Sequence, residues 1–338
     1  MEELSICIVA YNEETFLPKL LENIKNQVYP HKDTGIVLVN SISTDKTRKI
    51  MEKFQQQDYG FCSVQVIDNP KKTQAAGWNV AIQNAKGKVI LRIDAHTMIP
   101  PDFSKKIMED IAAGEDIVGG ARPCIIEQDT SWAKTLLQAE NSMFGSSINS
   151  SRKGNKKTYV KTMFHAAYWQ EVFQKAGGFN ENLFRTEDNE MHYRIRKCGY
   201  KLYYDPEIIS YQYARKDLKS MIKQKWNNGF WIGLTLAVCP KCIFYYHLIP
   251  CVFVLAVCFT SILYFWGFWQ LAAAMWITYA VFAVVSTMIN IIKDGFHIVT
   301  LLLPFIFLTL HVSYGAGTLA GIINIPFRRK KNLNYVSK

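Results

Sequence analysis

The stretch Val89-Ile90-Leu91-Arg92-Ile93-Asp94-Ala95-His96 decides how the rest of the chain is read. Its apolar run has the length and composition of a strand buried in a sheet, and it ends in a carboxylate and an imidazole two residues apart. In an open α/β sheet, ligands bind outside the carboxyl ends of the strands. Asp94 and His96, at i and i+2, are donors that can grip one divalent cation, and a cation there can hold a diphosphate. An ordinary turn can carry the same tripeptide, so the meaning of Asp94-Ala95-His96 depends on what flanks it.

Upstream, residues 4–10 read as a first buried strand, followed by Tyr11-Asn12-Glu13-Glu14 and a helix that Thr15 caps and that runs to residue 27, with Phe16, Leu20, Leu21 and Ile24 on one face. A second strand at 36–39 ends in Asn40-Ser41-Ile42-Ser43-Thr44-Asp45-Lys46-Thr47, where Ser43 or Thr44 is the natural cap of a helix to residue 57. A third strand at 64–67 turns at Asn69-Pro70 into a helix over 75–85, closed by Gly87 before the central strand. Strand–helix units repeated in this way predict an α/β fold, a parallel sheet with right-handed crossovers. No Gly-x-Gly-x-x-Gly follows a strand, which argues against a dinucleotide fold.

Downstream, Pro100-Pro101-Asp102 opens a helix to residue 113, and 117–121 is another strand. Residues 122–158 lack a strong period, and the polar, basic run 149–157 reads as a mobile loop. Residues 159–167 look extended and include His165, which by itself is as consistent with a buried core histidine as with a ligand. Phe184-Arg185-Thr186-Glu187-Asp188-Asn189-Glu190 begins a helix whose carboxylates either complement the helix dipole or supply a general base fixed at its first turn. Asp205-Pro206 leads into a last strand at 208–211.

The charge map adds a second kind of structure. Among 338 residues, 49% hydrophobic and 20% charged, there is no Asp, Glu, Lys or Arg from residue 242 to 292, nor from 295 to 327. About 20 apolar residues cross a bilayer as a helix, so these gaps predict two to three membrane segments within 242–327. Leu218, Met221, Ile222, Trp226, Phe230 and Leu234 recur at helical spacing between lysines, the pattern of an amphipathic helix in the membrane interface over 216–241. Residues 1–215 then form the catalytic domain and 328–338 a basic cytoplasmic tail. The formal charge of +11 is spread and flanks the apolar segments, and no nucleic-acid motif is present, so lipid headgroups and positive-inside topology explain it. Met1-Glu2-Glu3 and the short first apolar run do not make a secretory signal, which keeps the front of the chain in the cytosol, at the plasma (inner) membrane. The eight cysteines are scattered in the manner of buried thiols in a reducing compartment, Cys239-Pro-Lys-Cys242 apart. Two crossings return the chain to the cytosol at Lys293, and a third would carry Arg328 to Lys331 outside; Pro304, Gly315, Gly317 and Gly321 suit a kinked or re-entrant last segment. A channel or transporter is disfavoured, because no ionisable Asp, Glu, Lys or Arg lies inside the long apolar runs.

Taken together, Tyr11-Asn12-Glu13, Ser43-Thr44-Asp45-Lys46-Thr47, Asp94-Ala95-His96 and Glu187-Asp188 resemble the motif order of a family 2 glycosyltransferase with the GT-A fold, over residues 4–215. The Asp-Ala-His form, Gly177-Gly178-Phe179-Asn180-Glu181 and His311-Val312-Ser313-Tyr314-Gly315 are similar to the succinoglycan branch that builds exopolysaccharide repeats on a polyprenyl carrier. The resemblance implies that Tyr11, Glu13 and the loop from Asn40 to Asp45 receive the nucleotide's base and ribose, and that Gln74 and Asn79 contact the donor. It implies that Asp94 and His96 hold Mn²⁺ or Mg²⁺ on the diphosphate, and that Asp188, with Glu187 beside it, is the catalytic base. His165 is a candidate third ligand. Two residues depart from the family pattern: Asn40 stands where an aspartate is usual, and His96 replaces a second Asp, shifting preference toward Mn²⁺. The processive Gln-x-x-Arg-Trp motif is represented only by Gln224-Lys225-Trp226, which predicts one sugar per encounter. The implied reaction is inverting transfer from a nucleotide sugar, expected to be UDP-linked, to a hydroxyl of a polyprenyl-linked saccharide. A polyprenyl phosphate acceptor, or a membrane-anchored nucleotide-sugar scaffold without turnover, remains the alternative.

Overall fold

The first strand shows how the sheet acquires two covered faces. In β1 (Leu4–Ala10), Leu4, Ile6 and Ile8 pack into one apolar cluster and Cys7 into another, the alternation of a strand buried on both sides. The computed structural model describes residues 2–145 and 155–333. In chain order β1 is followed by α1 (Leu17–Lys25), β2 (Thr34–Asn40), α2 (Thr47–Gln56), β3 (Ser63–Asp68), α3 (Gln74–Asn84), β4 (Val89–Asp94), β5 (Thr97–Met98), α4 (Phe103–Ala112) and β6 (Ile117–Ala121). Then come β7 (Cys124–Ile125), α5 (Ser131–Asn141), β8 (Thr158–Val160), β9 (Ala166–Trp169), α6 (Gln170–Ala176), α7 (Glu187–Lys197), β10 (Leu202–Ile209) and β11 (Tyr211–Tyr213). Helices α8 (Leu218–Thr235), α9 (Ile249–Phe265), α10 (Trp269–Asp294) and α11 (Leu303–Leu333) complete the chain.

Two units form, one from Met1–Pro123 with Ser150–Tyr213 and one from Cys124–Asn149 with Ala214–Lys338. The first carries an eight-stranded sheet in the order β3-β2-β1-β4-β9-β6-β10-β8. Strands β3, β2, β1 and β4 are parallel to one another, as are β6 and β10, while β9 runs antiparallel between β4 and β6 and β8 antiparallel beside β10. The parallel half is the one the strand–helix repeat predicts. The antiparallel β9 is not foreshadowed by the repeat, because a four-residue strand of small and aromatic residues leaves too short a period. On one face of the sheet α1, α2 and α4 bury Leu20, Ile24, Met51, Phe54 and Ile107; on the other, α3, α6 and α7 bury Trp78, Ala81, Phe173, Met191 and Ile195.

Several local expectations change. Thr15 does not cap α1, which starts at Leu17 after Phe16 and takes Pro18 in its first turn, where a missing N–H costs nothing. Neither Ser43 nor Thr44 caps α2, which begins only at Thr47, because both residues bond to neighbouring loops instead. The strand expected at 208–211 starts at Leu202, and residues 122–145 contain α5, capped by Thr130 accepting from the Ala133 N–H at 3.1 Å. Residues 124–145 cluster with the C-terminal unit rather than with the sheet, and most of the run 149–157 lies outside the described residues.

Within the second unit, Leu136 and Ala139 of α5 pack with Met221 of α8, Ala283 of α10, and Leu303, Ile306, Phe307 and Leu310 of α11. The charged Lys225 and Glu140 are both buried there and pair at 3.0 Å, the arrangement a buried charge requires. His311 links two partners: one ring nitrogen donates to the Phe144 carbonyl at 2.6 Å and the other accepts from the Tyr279 hydroxyl at 3.0 Å. The stretches Tyr245–Phe265, Trp269–Asp294 and Ile298–Ile323 are long and apolar enough to cross a membrane. Helix α11 is continuous from Leu303, so Pro304 sits in its first turn and does not break it. Glycines in α8 and α11 serve close packing: a Cβ on Gly229 would strike the Tyr314 carbonyl, and one on Gly321 the Phe230 carbonyl. The buried face of α8 therefore has α11 as its partner, which the lysine-flanked amphipathic pattern does not identify.

Gly229→Leu drives a side chain into that helix–helix contact and should cost about 2 kcal/mol, or roughly 5 °C in Tm for the protein in detergent. A thermal scan showing no change would mean that the α8 and α11 backbones do not touch.

Candidate active site

Register brings the parallel strands to a common edge: Ala10 lies opposite Asn40, Asn40 opposite Asp68, and Val9 opposite Asp94. The loops after β1 and β2 hold two unusual backbone conformations, Asn12 at φ 55° and Ile42 at φ 56°. Asparagine tolerates this region, but a β-branched residue adopts it only when its surroundings impose it. They do so here through bonds between and within the loops. The Asn12 N–H donates to Ser43 Oγ at 3.1 Å, the Thr44 N–H to Asn12 Oδ1 at 2.8 Å, the Ser43 N–H to Asn40 Oδ1 at 3.0 Å and the Glu13 N–H to Thr47 Oγ1 at 2.7 Å. The Glu14 N–H donates to Asp45 Oδ2 at 3.1 Å. Tyr11, 52% exposed, thus stands on a cross-linked rim with its ring open to a stacking partner. Asn40 also donates to Asp68 Oδ1 at 2.8 Å; that bond, followed by the ion pair with Arg48, lowers the Asp68 carboxyl below its ordinary range despite partial burial.

Asp94 closes β4 and is the focus of a second network. His165 donates to its Oδ2 at 3.2 Å, Gln74 to its Oδ1 at 3.4 Å, and the Arg122 guanidinium lies 3.9 Å away, stacked on the Phe164 ring. Burial works to raise the Asp94 carboxyl, yet the His165 hydrogen bond and nearby positive charge outweigh it and hold Asp94 well below the usual carboxylate range. Burial depresses the His165 imidazole, which as a neutral ring accepts at Nδ1 from Ser210 Oγ at 2.8 Å. His96 donates through Nδ1 to Glu13 Oε1 at 3.2 Å, tying the end of β4 to the loop after β1.

Arg92 and Asp94 are two apart on β4 and project from the same face. Arg92, 4% exposed, donates to Asp188 Oδ1 at 2.7 Å and lies over the Trp78 and Phe179 rings, 4.5 and 4.6 Å from their centroids. This pairing fixes the first turn of α7 against the sheet. Four residues on, the buried His192 accepts from the Tyr168 hydroxyl at 2.8 Å, and burial lowers its pKa to about 4. Glu187 is buried and its Oε2 has no hydrogen-bond partner among the described residues; burial first, and then the Asp188 charge, push its carboxyl up to about 8.

Of the residues singled out in the sequence, Tyr11, Glu13, Asn40 and Asp45 lie on the interlocked loops, and Gln74, Asp94, His96 and His165 converge at the end of β4. Asn79 does something else: it receives the Phe179 N–H at 2.7 Å and donates to the Phe179 carbonyl at 2.9 Å and to Glu181 Oε1 at 3.0 Å, so its amide orders the turn after Gly178. Sequence reasoning passed over Arg92, Arg122, Ser210 and Asp68. Arg92 was discoverable, since a charged residue inside an otherwise apolar central strand must have a buried partner.

The donors suit a divalent cation. Asp94 offers carboxylate oxygen, and Glu13 on His96 Nδ1 sets the tautomer that places the imidazole lone pair on Nε2, the outer-shell arrangement common behind ligating histidines. Among the described residues, no three of His, Cys, Asp and Glu gather into one cation-binding group. His165 in particular has both ring nitrogens in hydrogen bonds and acts here on Asp94 itself, so phosphate and water would have to complete a shell begun by two residues.

Comparison with known proteins fits this arrangement. The family described as Glycosyl transferase family 2 matches residues 5–177, just over half of the chain. The succinoglycan biosynthesis protein ExoA of Rhizobium meliloti is 29% identical over 227 residues, covering 66% of this chain and 67% of that protein. A dolichyl N-acetyl-α-D-glucosaminyl phosphate 3-β-D-2,3-diacetamido-2,3-dideoxy-β-D-glucuronosyltransferase of Methanococcus voltae is 28% identical over 246 residues, covering 70% of this chain and 74% of its own. A mannosyltransferase from Pyrobaculum calidifontis, solved with GDP-mannose and Mn²⁺, superposes with a TM-score of 0.59 over 96% of this chain and 87% of that one at 17% identity, which establishes the GT-A fold.

Because the folded-state carboxyl of Glu187 sits above its unfolded value of 4.5, its contribution to stability is complete below that value and is lost as pH rises through about 8. Glu187→Gln, which cannot ionise, should therefore gain on the wild type between pH 5 and pH 9, by several °C in Tm; a difference that does not vary with pH would show that Glu187 is not held neutral.

Proposed function

The chain belongs to glycosyl transferase family 2, and from that premise we propose that it is a membrane-bound, metal-dependent, inverting transferase. It moves one sugar from a nucleotide sugar, UDP-linked in the first instance, to a hydroxyl of a polyprenyl-linked saccharide in exopolysaccharide or cell-surface glycan synthesis. The catalytic unit works on the cytoplasmic side of the plasma membrane, with the helices of the C-terminal unit as its anchor. The observation that carries the reading is the Arg92–Asp188 bond of 2.7 Å, which sets a carboxylate beside the strand that ends in Asp94.

Tyr11 stacks on the base, the loops from Glu13 and from Asn40 to Asp45 take the nucleoside, and Gln74 orients the donor next to Asp94. Asp94 and His96 hold the divalent ion, Mn²⁺ by preference, and when bound it supplies positive charge to the diphosphate. Asp188 takes the proton from the acceptor hydroxyl as that oxygen bonds to the anomeric carbon. The bond from that carbon to the phosphate oxygen breaks in the same displacement, and the nucleoside diphosphate departs with the electron pair. A single displacement inverts the anomeric centre. A polyprenyl phosphate oxygen is already nucleophilic and gains little from a base, so Glu187-Asp188 favours a sugar hydroxyl as acceptor. The Methanococcus voltae relative, whose name describes transfer to a lipid-linked sugar, supports this choice.

Purified protein in detergent, supplied with Mn²⁺, a panel of nucleotide sugars beginning with UDP-sugars and GDP-mannose, and a polyprenyl-diphosphate-linked sugar, should transfer a single residue. Asp188→Asn should lower kcat about 10³-fold while donor affinity measured by calorimetry stays within a factor of about two. No turnover with any nucleotide sugar would leave the protein a scaffold, and full turnover by Asp188→Asn would remove the base.

A further inference from the structure

Arg92 enters neither the proposed donor contacts nor the cation site, yet it is the only arginine among the residues of β4, a strand otherwise apolar up to Asp94. Its side chain is 5% exposed, against 23% for Asp188. Its guanidinium faces the buried rings of Trp78 and Phe179. The backbone that carries the second ring is itself held, because Asn79 engages both the N–H and the carbonyl of Phe179. A carboxylate on two rotatable bonds at a helix's first turn has no fixed direction of its own. A planar guanidinium packed over two buried rings gives it one. Lysine, a point charge on a flexible stem, would pair with Asp188 without imposing that direction.

We infer that Arg92 is a positioning residue of the transfer reaction: packed on Trp78 and Phe179, it aims the Asp188 carboxylate at the acceptor hydroxyl. The inference rests on the reading of Asp188 as the base. One oxygen of that carboxylate is engaged by Arg92, and the same bond turns the other toward the reacting proton. Asn79, which lies five residues along α3 from the donor-facing Gln74, then acts through Phe179 and not on the nucleotide.

The test is a kinetic cycle on the full-length protein in detergent with Arg92→Met, Arg92→Lys, Asp188→Asn and the double variant Arg92→Met/Asp188→Asn. Arg92→Met should lower kcat about 100-fold with the donor KM within about threefold, and Arg92→Lys should fall about tenfold. In the Asp188→Asn background, Arg92→Met should add almost nothing, because there is no base left to aim. Full kcat in Arg92→Met, or a loss of the same size whether or not Asp188 is present, overturns the inference. Should Arg92→Met fail to fold, Arg92→Lys decides: reduced kcat at unchanged KM supports positioning, and wild-type kcat refutes it. An inactive wild type, or a fully active Asp188→Asn, defeats the functional reading and this inference with it. An active wild type with a dead Asp188→Asn and indifferent Arg92 variants defeats this inference alone.

Discussion

A guanidinium inside the central strand is the constraint on which the site depends. Taking Arg92 out of water has a cost that only a close counter-charge and good contacts offset, and the structure supplies Asp188 on one side and two aromatic faces on others. Removing one partner of such a pair typically costs about 3–5 kcal/mol, so the first turn of α7 has to stay where Arg92 is. That requirement brings a carboxylate from late in the chain to a strand whose own end carries Asp94. The burial of Glu187 beside it follows from the same docking of the helix.

The loops on the other side of the edge are organised by a different device. Asn12, Ser43, Thr44, Asn40 and Thr47 exchange hydrogen bonds across two strand ends, and these bonds sustain the positive φ of Asn12 and Ile42. A nucleotide bound there would meet loops that are already shaped, and less ordering would be needed on binding. His96, bonded to Glu13, joins this network to the end of β4, so the region that would take a base and the region that would take phosphates share one framework.

Periodicity exposed the parts of the fold that repeat. β1, β4 and β6, the helices after the first three strands and the start of α7 all lie where alternation, apolar runs and clustered carboxylates put them. Short elements without a period escaped: β9 is four residues long and runs against its neighbours, and α5 lies in a stretch whose buried face includes Thr135, Gln138 and Glu140, polar residues that blur the apolar stripe. The cap expected for α2 does not form because Ser43 and Thr44 bond to Asn12 across 31 and 32 residues, a competition invisible to local reasoning. Glycines in α11 looked like kinks in sequence and are contact points in space, since only the partner helix reveals what a missing Cβ admits. In the site, motif residues were legible from their chemistry and Arg92 was open to notice as a charge in an apolar strand, while Ser210 was not, because its role is set by what it touches.

The claim beneath all of this is that the end of β4 is the phosphate end of the site, with Asp188 across from it. Anomalous diffraction at the manganese edge, from crystals grown with a nucleoside diphosphate and Mn²⁺, tests it directly. One peak between Asp94 and His96, with diphosphate oxygens completing the shell and the Asp188 carboxylate facing the same opening, is the predicted result. A peak elsewhere, or a diphosphate bound away from the end of β4, would contradict the account.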